Sequence, residues 1–369
     1  MKSLFVILLL FHGAIHSLGF LKAFHFAKIE QLTQTISKPI GLLWLLATVL
    51  FFITVLLFLY KHDSWPVIAI IAVIISQVIV VLSWQDAKFG TIANVIILLV
   101  SIQGFAEVEF VKMTKQESLH LIQNGKAVSS EIITEAAISS LPPIVQQWMR
   151  FSGVIGTAEA VSVRLQQTGE MRTKPEQSWM PFTAEQYIDV ANPSFVWTTS
   201  AKMMPLVSFR GRDKLENGKG AMLIKVASLI PVVNEKANEK INSGAMLRFL
   251  GEMCWYPSAA LSEYIDWEQL DSSSARATLS INGSSVTGTF TFSQEGELIS
   301  FEANRFYGAD DAATLEKWYI EPVEFKVFQG VKIPYKCKVT WKLDAGDFTW
   351  LTLELTALAY NELQLFKPK

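Results

Sequence analysis

Four long apolar runs fill the first 111 residues of this 369-residue chain and restrict its fold more than any other feature. They cover residues 4–21, 40–60, 67–83 and 92–110 and contain few charged side chains. A helix of about 20 apolar residues crosses a hydrocarbon core about 30 Å thick. The first run lacks a small-residue cleavage site, so we interpret it as an uncleaved span. Because the later loops are short, the sequence predicts an antiparallel bundle of four transmembrane helices over residues 1–111.

The lysines that flank these runs indicate how the bundle is oriented. By the positive-inside rule, the side richer in lysine faces the cytoplasm. Each side of the bundle has four lysines, so the count alone does not decide the orientation. Three of the four lysines on one side lie in the first and longest loop, which favours a cytoplasmic position for that loop. Four crossings would then place the C-terminal domain outside the cytoplasm. One side carries Lys22, Lys28, Lys38 and Lys88, and the other carries Lys2, Lys61, Lys112 and Lys115.

The composition changes after residue 111 to that of a soluble domain, with arginines that the first 111 residues lack. The net charge is −2 and lysines and arginines do not cluster, which argues against nucleic acid as a partner. Cys254 and Cys337 are the only cysteines, too few for a disulfide scaffold. One bridge and two buried free thiols both remain open.

Residues 112–140 have an amphipathic helical pattern and are expected to form a helical connector. A helix that begins at Leu141-Pro142-Pro143 and ends at Gly153 is expected to pack on the following sheet. From there to residue 369 the pattern alternates with period two, and tight turns such as Asn217–Gly220 and Asn282-Gly283 separate the runs. The sequence therefore predicts an α+β domain with an antiparallel sheet of roughly nine to eleven strands.

A single helix interrupts this β-rich domain. Residues 242–256 begin with Asn242 and Ser243, which are suitable caps, and Pro257 requires the helix to have ended. Leu247, Leu250 and Cys254 form an apolar stripe at helical spacing. We expect a strongly curved, half-barrel-like sheet wrapped around this helix, since so many strands do not form a flat open sheet.

The β-rich domain has no histidine, because all five histidines precede it. Catalytic triads, Cys-His systems and most zinc sites need imidazole, so the domain cannot build them from its own residues. No nucleophile elbow or zinc-protease motif is present. We predict no metal or cofactor, and binding is favoured over catalysis.

The candidate ligand-binding residues surround the 242–256 helix. Arg248, Glu252 and Trp255 share one stripe of the helix, beside the apolar stripe. A surface Arg-Glu pair contributes only about 0.3–0.5 kcal/mol. A structural salt bridge is the favoured interpretation of Arg248 and Glu252, and a half-buried pair that orients a polar ligand head is the alternative. Five further residues are expected to face the same hollow, although each is also explained as a solvated strand end: Arg210, Arg212, Asp213, Arg305 and Tyr307.

Many aromatics of the domain belong to an ordinary core, yet a curved sheet would leave room among them for an acyl chain. These aromatics are Trp179, Phe182, Phe195, Trp197, Trp255, Trp267, Phe301, Phe306, Trp318 and Trp350.

Two histidines lie within the first apolar run. His12 and His16 are one helical turn apart and face the same way. Such a pair either binds a metal, haem or quinone or forms hydrogen bonds between helices. The hydrogen-bonding interpretation is favoured, because the sequence offers no third ligand.

The pattern of residues in the β-rich domain resembles a known family. The similarity covers about residues 141–360, and the residues that carry it are Arg248, Phe249, Leu250, Glu252, Trp255, Pro257, Trp267, Phe301, Glu302, Ala303, Arg305, Phe306, Tyr307, Gly330, Ile333, Pro334 and Trp341. They resemble a bacterial family of membrane-attached proteins defined by a domain of unknown function. The resemblance implies a bacterial protein and no established activity. In outline, the expected half-barrel is also similar to the lipoprotein carriers of the periplasm, whose hollow takes lipid chains.

The sequence leaves three functional hypotheses. The leading one is a multi-pass inner-membrane protein whose extracytoplasmic domain binds a lipid or other hydrophobic ligand. The second is an envelope enzyme that uses Glu252, Arg248 and Tyr307. The third is a structural partner of another membrane protein.

Overall fold

The computed structural model describes residues 2–125, 131–204, 207–308 and 311–367. The chain divides into two compact units, Met1–Lys112 and Met113–Lys369. Each unit is described by itself below.

The first unit is built from apolar helices. They are α1 (Lys2–Ala23), α2 (Lys38–Leu59), α3 (Trp65–Leu82), the short α4 (Trp84–Ala87) and α5 (Gly90–Asn124), whose residues from Met113 onward belong to the second unit. Four of them, α1, α2, α3 and α5, are long and apolar enough to cross a membrane. The predicted runs therefore do form helices of membrane-spanning length.

A polar network joins three of these helices. His12 Nε2 on α1 lies 2.9 Å from Asn94 Oδ1 on α5 and 3.2 Å from Ser76 Oγ on α3. His16 Nδ1 lies 2.9 Å from the His12 carbonyl oxygen. These contacts agree with the hydrogen-bonding interpretation of the histidine pair. Within the described residues, no group of three His, Cys, Asp or Glu side chains is placed to hold a metal ion.

The connector is helical only in part, so the prediction for residues 112–140 needs correction. Helix α5 ends at Asn124, and residues 126–130 lie outside the described part of the chain. Residues 131–134 are not helical, because Ile132 forms a β-bridge with Ala158. The short helix α6 (Glu135–Ile138) starts only at Thr134, whose side chain accepts a hydrogen bond from the Ala137 amide.

Helix α7 (Pro143–Ser152) ends at Gly153, as predicted. Gly153 has a φ of 71°, which lies in the left-handed region. Its Trp148 packs against Phe290 and Phe292 of the sheet.

A single antiparallel sheet of 13 strands makes up most of the second unit, so the prediction of nine to eleven strands was too low. The spatial order is β6-β5-β4-β3-β2-β1-β13-β12-β11-β10-β9-β8-β7. Each half is therefore a series of hairpins, and the two halves meet where β1 pairs with β13. The strands are β1 (Ser162–Met171), β2 (Met180–Asp189), β3 (Ser194–Met204), β4 (Val207–Glu216), β5 (Lys219–Val226), β6 (Ile230–Glu235), β7 (Ile265–Gln269), β8 (Ser274–Ile281), β9 (Ser284–Phe292), β10 (Leu298–Tyr307), β11 (Thr314–Phe328), β12 (Val331–Leu343) and β13 (Gly346–Tyr360).

The sheet bends around one helix, α8 (Glu239–Glu252), which lies in the connection between its two edge strands. Thirteen strands about 4.8 Å apart would span roughly 58 Å if flat, whereas a helix of this length measures about 21 Å. Yet α8 packs on β4 and β5 from one half and on β8, β9 and β10 from the other. The turns of the two halves also meet, because Asn282 donates to the Asn217 carbonyl oxygen at 3.2 Å. The sheet is therefore strongly curved, but it does not close into a barrel.

Helix α8 begins one turn earlier and ends earlier than predicted. Asn238, with an extended backbone, caps the helix through its side chain, which accepts from the Ile241 amide at 2.9 Å. Asn242, the predicted cap, instead accepts from the Gly220 amide of β5. After Glu252 the chain continues as a 3-10 turn over Met253–Trp255, because Pro257 prevents a continuous helix.

Candidate functional site

A cavity of about 650 Å³ lies between α8 and the concave face of the sheet. Its wall is mostly apolar and aromatic, and both halves of the sheet contribute to it. Ligand pockets commonly have volumes of about 300–1,000 Å³ and walls of this kind. The aromatic wall residues are Phe182, Trp197, Phe209, Trp255, Tyr307, Trp318, Trp341, Phe348 and Trp350.

A buried charge cluster centred on Arg248 forms one side of the cavity. The Arg248 guanidinium donates to Glu252 Oε1 and to Asp213 Oδ2, each at 2.8 Å, and to Gln186 Oε1 at 3.2 Å. Gln186 Nε2 in turn donates to Glu252 Oε2 at 2.5 Å. The guanidinium also lies 4.7 Å from the centre of the Trp197 ring. The Arg-Glu pair is therefore a buried network rather than a surface contact.

Burial shifts the ionisation of this cluster. Burial raises the pKa of Glu252 above its ordinary value. The positive charge of Arg248 lowers this pKa but does not cancel the effect of burial. Burial alone would lower the pKa of Arg248, but the Glu252 and Asp213 carboxylates outweigh burial and raise it. Arg248 therefore stays charged at neutral pH, while the charge of Glu252 is unfavourable in its surroundings.

Arg305 and Tyr307 point from β10 into the same cavity. The Arg305 guanidinium lies 4.6 Å from the centre of the Trp318 ring and 5.8 Å from that of Trp341. The Tyr307 ring packs edge-on against Trp341, with ring centres 5.1 Å apart. Burial lowers the pKa of Arg305 to about 10. This arginine is thus held by aromatic rings rather than by carboxylates.

Trp255 and the two cysteines complete the wall below α8. The Trp255 indole N–H donates to the Pro334 carbonyl oxygen at 2.9 Å, which fixes the ring against β12. Cys254 and Cys337 are buried free thiols. Burial raises the pKa of Cys337 to about 12, so that thiol stays protonated at neutral pH.

Five of the six predicted ligand-binding residues line the cavity, and Arg210 is the exception. Arg210 lies between Phe209 and Gly211 on β4, and both of these neighbours line the cavity. Because side chains alternate along a strand, Arg210 faces the other way. Its inclusion in the site was wrong.

Sequence reasoning also missed Gln186, which bridges Arg248 and Glu252. The signal that could have revealed it is the alternation of β2, which places Gln186 on the same face as the apolar Phe182 and Ala184.

A second cavity, of about 580 Å³, opens near α6 and residues 259–267. Four carboxylate residues belong to its wall: Glu131, Glu159, Glu263 and Asp266. It has no cationic side chain and few aromatic rings among its lining residues. The cavity beside α8 is therefore the better candidate site.

The chain is similar to known proteins in two comparisons, one with solved structures and one with protein families. A search of curated proteins gives no significant match. One solved structure that matches is a putative outer membrane lipoprotein-sorting protein domain from Vibrio parahaemolyticus, with a TM-score of 0.30 and 9% identity. The match covers 54% of this chain and 85% of that one. Residues 131–353 match a family of unknown function, DUF6544. That match extends over more than half of the sequence and includes all the residues of the charge cluster, so the chain belongs to the DUF6544 family.

Proposed function

We propose that the second unit binds a hydrophobic or amphipathic molecule in the cavity beside α8, as a carrier, a sensor or an envelope-maintenance factor. The four apolar helices would span the inner membrane of a bacterium and keep this unit on its extracytoplasmic side. The observation that carries the proposal is the apolar cavity of about 650 Å³.

The packing of the rest of the unit supports this role. Protein interiors are normally packed as densely as organic crystals, and a large apolar void lowers stability. Large aromatic side chains such as Phe290 and Phe301 are fully buried in the core next to α8. The chain therefore packs densely beside a space that it leaves open, which is expected of a ligand site.

The test is to purify the full chain in a neutral detergent, extract the bound lipids and identify them by mass spectrometry. The comparison uses Ala201→Phe, which adds a ring inside the cavity, because Ala201 lines it. The matched control is Lys202→Phe, since the neighbouring Lys202 is exposed and alternation points it away from the cavity.

We expect a defined lipid species at about one molecule per chain in the wild type and in Lys202→Phe, and its loss in Ala201→Phe. Lipids that merely coat the apolar helices should be equal in all three. If the three proteins carry the same lipids in the same amounts, the cavity is not a ligand site.

A second candidate function is catalysis by Glu252, Arg248 and Tyr307. The buried carboxyl group of Glu252 in the cavity wall, with its raised pKa, is the observation that favours it. Both carboxylate oxygens are already engaged, one by Arg248 and the other by Gln186, which favours a structural role. Turnover of an amphipathic ester by the wild type and its loss in Glu252→Gln would identify an enzyme. Unchanged esters with the wild type would leave binding as the function.

A further inference from the structure

In one corner of the cavity, the described side chains place several hydrogen-bond donors that have no acceptor. Arg305 lines the cavity, and the described residues provide it with no hydrogen bond and no ion pair. Arg248, by contrast, is held by Asp213, Glu252 and Gln186. Arg305 and Arg248, two of the four arginines that line this cavity, are therefore in different states: Arg305 is open and Arg248 is fully engaged.

Two further donors belong to side chains that line the cavity near Arg305. The indole N–H of Trp318, the ring beneath the guanidinium, is buried and has no acceptor among the described residues. Tyr307 lies two residues after Arg305 on the same face of β10, and the described part of the chain offers its hydroxyl no partner. The Trp318 N–H is buried, and a buried donor without an acceptor is costly. Arg305 and Tyr307 are half-buried in the cavity wall, where an acceptor on a ligand can reach them.

Helix α8 leaves room for this arrangement. A β-carbon at Gly244 would lie 3.3 Å from Arg305 Nε, so the absence of a side chain lets the guanidinium lie against the helix. Arg305 is thereby held between α8 and two indole rings. A guanidinium held in this way is preorganised to bind an anion through parallel N–H donors.

The carboxylates nearby do not satisfy Arg305. Asp213 and Glu252 attract it through space, but both form their contacts with Arg248. Glu316 lies directly opposite Arg305 on β11, yet it forms no ion pair with Arg305 in the described structure. Glu316 therefore leaves the Arg305 guanidinium open, although it is the carboxylate across the strand pair that could compete with a ligand.

We propose that this corner binds the anionic head of a long-chain amphiphile, a carboxylate or a phosphate, while the alkyl chain occupies the apolar part of the cavity. This inference rests on the proposed function and specifies the class of ligand. Arg305 supplies the charge, and Tyr307 and Trp318 supply additional donors. The head accepts hydrogen bonds and need not donate any.

The test compares four probes with one another on the full chain in a neutral detergent, with native mass spectrometry to count bound molecules. Hexadecanoate and hexadecyl phosphate have an anionic head, hexadecanol has the same chain and a neutral head, and inorganic phosphate has no chain. We expect both anionic amphiphiles to bind at least about tenfold more tightly than hexadecanol, because hydrogen bonds between two charged groups are stronger than those to a neutral hydroxyl.

Three variants assign this preference to the corner. Arg305→Met should reduce the affinity for both anionic amphiphiles to that for hexadecanol, and Arg305→Lys should keep part of the preference as a point charge. Glu316→Gln should leave the preference intact or increase it. Arg276→Met is the matched control, because Arg276 is a strand arginine that pairs with Glu268 on an exposed surface.

The outcomes separate this inference from the proposed function. Equal affinity for hexadecanol and the two anionic amphiphiles would overturn the proposed preference for an anionic head, but the cavity would remain a ligand site. Binding of none of the amphiphiles would overturn both. Binding of inorganic phosphate as tight as that of hexadecyl phosphate would show that the chain contributes nothing, and the amphiphile assignment would fall.

Discussion

Arg248 and Arg305, both in the cavity wall, should respond differently to the same substitution. Arg248→Met would leave Asp213 and Glu252 buried without their cation, and removal of one partner from a buried pair costs about 3–5 kcal/mol. Arg305→Met removes a charge that burial disfavours and loses only the cation–π contacts, about 0.5–2 kcal/mol. We expect the first variant to be much less stable than the wild type and the second to be nearly as stable or more so.

Thermal unfolding of the full chain in detergent, followed by near-UV circular dichroism, measures both effects. Arg276→Met serves as the surface control, with a change of at most about 1 kcal/mol expected for an exposed pair. A loss of stability in Arg305→Met as large as that in Arg248→Met would show that Arg305 is a structural cation.

Glu252 should make stability depend on pH with a defined sign. Because its folded pKa lies above the ordinary value near 4.5, the folded state keeps the proton to a higher pH than the unfolded state does. The folded state then binds more protons in the window above about 4.5, and the contribution of Glu252 to stability falls as pH rises through that window. Glu252→Gln should remove this fall.

Denaturant unfolding between pH 4.5 and 8 tests the sign, as the difference between wild type and Glu252→Gln. The exposed Glu268→Gln is the control. The prediction would be contradicted if the difference in the free energy of unfolding between wild type and Glu252→Gln did not change with pH, or if it shifted in favour of the wild type as pH rises.

Much of the candidate site could be predicted from spacing, but its boundaries could not. Arg248 and Glu252 are four residues apart on a helix, and that spacing is sufficient to bring them together. Arg210 was assigned wrongly because Gly211 and Asp213 are not hydrophobic, so the alternation of β4 gave no clear inward face. Gln186 was missed because its partners are 62 and 66 residues away.

At the scale of elements, the close packing of α8 on the sheet depends on Gly251. A β-carbon there would lie 2.9 Å from Ile320 Cδ1 and 3.0 Å from the Phe301 ring. Gly251→Ala gains helix propensity of up to about 1 kcal/mol, but overpacking in a core costs about 1–3 kcal/mol. We expect net destabilisation by about 1–2 kcal/mol in thermal unfolding.

Gly244→Ala is the matched variant in the same helix. The nearest atoms to its β-carbon belong to the flexible end of Arg305, which can move away. Its stability should therefore stay equal to the wild type or rise. If both variants destabilise the protein equally, contact with Ile320 and Phe301 does not determine the position of the helix.

The elements differ in how well the sequence specifies them. The turns at Asn217-Gly218 and Asn282-Gly283 were predictable, because both have positive φ at each residue, as a two-residue hairpin turn requires. The start of α8 was not, since Asn238 and Asn242 are both good caps and only the contact of Asn242 with Gly220 distinguishes them. The extended segment at 131–134 was missed because its pairing partner, Ala158, lies beyond α7.

At the scale of the whole molecule, local patterns could not specify the strand order. They predicted an apolar helical part followed by a large antiparallel sheet, and both are present. The pairing of β1 with β13 joins residues nearly 200 positions apart, such as Val163 with Tyr360. No local pattern encodes such a pairing.

The orientation of the chain is a further prediction at this scale. The first loop holds Lys22, Lys28 and Lys38, and we expect it in the cytoplasm, with the second unit outside. Alkaline phosphatase fused after Lys369 should therefore be active and a green fluorescent protein fusion dark. Fusions at residue 30 control for insertion and should give the opposite result. A fluorescent C-terminal fusion would show that the predicted orientation is wrong, and a carrier role in the periplasm would then be excluded.

The connection that carries α8 begins at one margin of the sheet and ends at the other, because β6 and β7 are its two edge strands. The cavity reaches the protein surface at Thr173 and Val232, which line it and are exposed. A guest that pushed the two margins apart would loosen the contact of the 14-residue helix with at least one half of the sheet, so occupancy of the cavity and the local stability of α8 should be coupled.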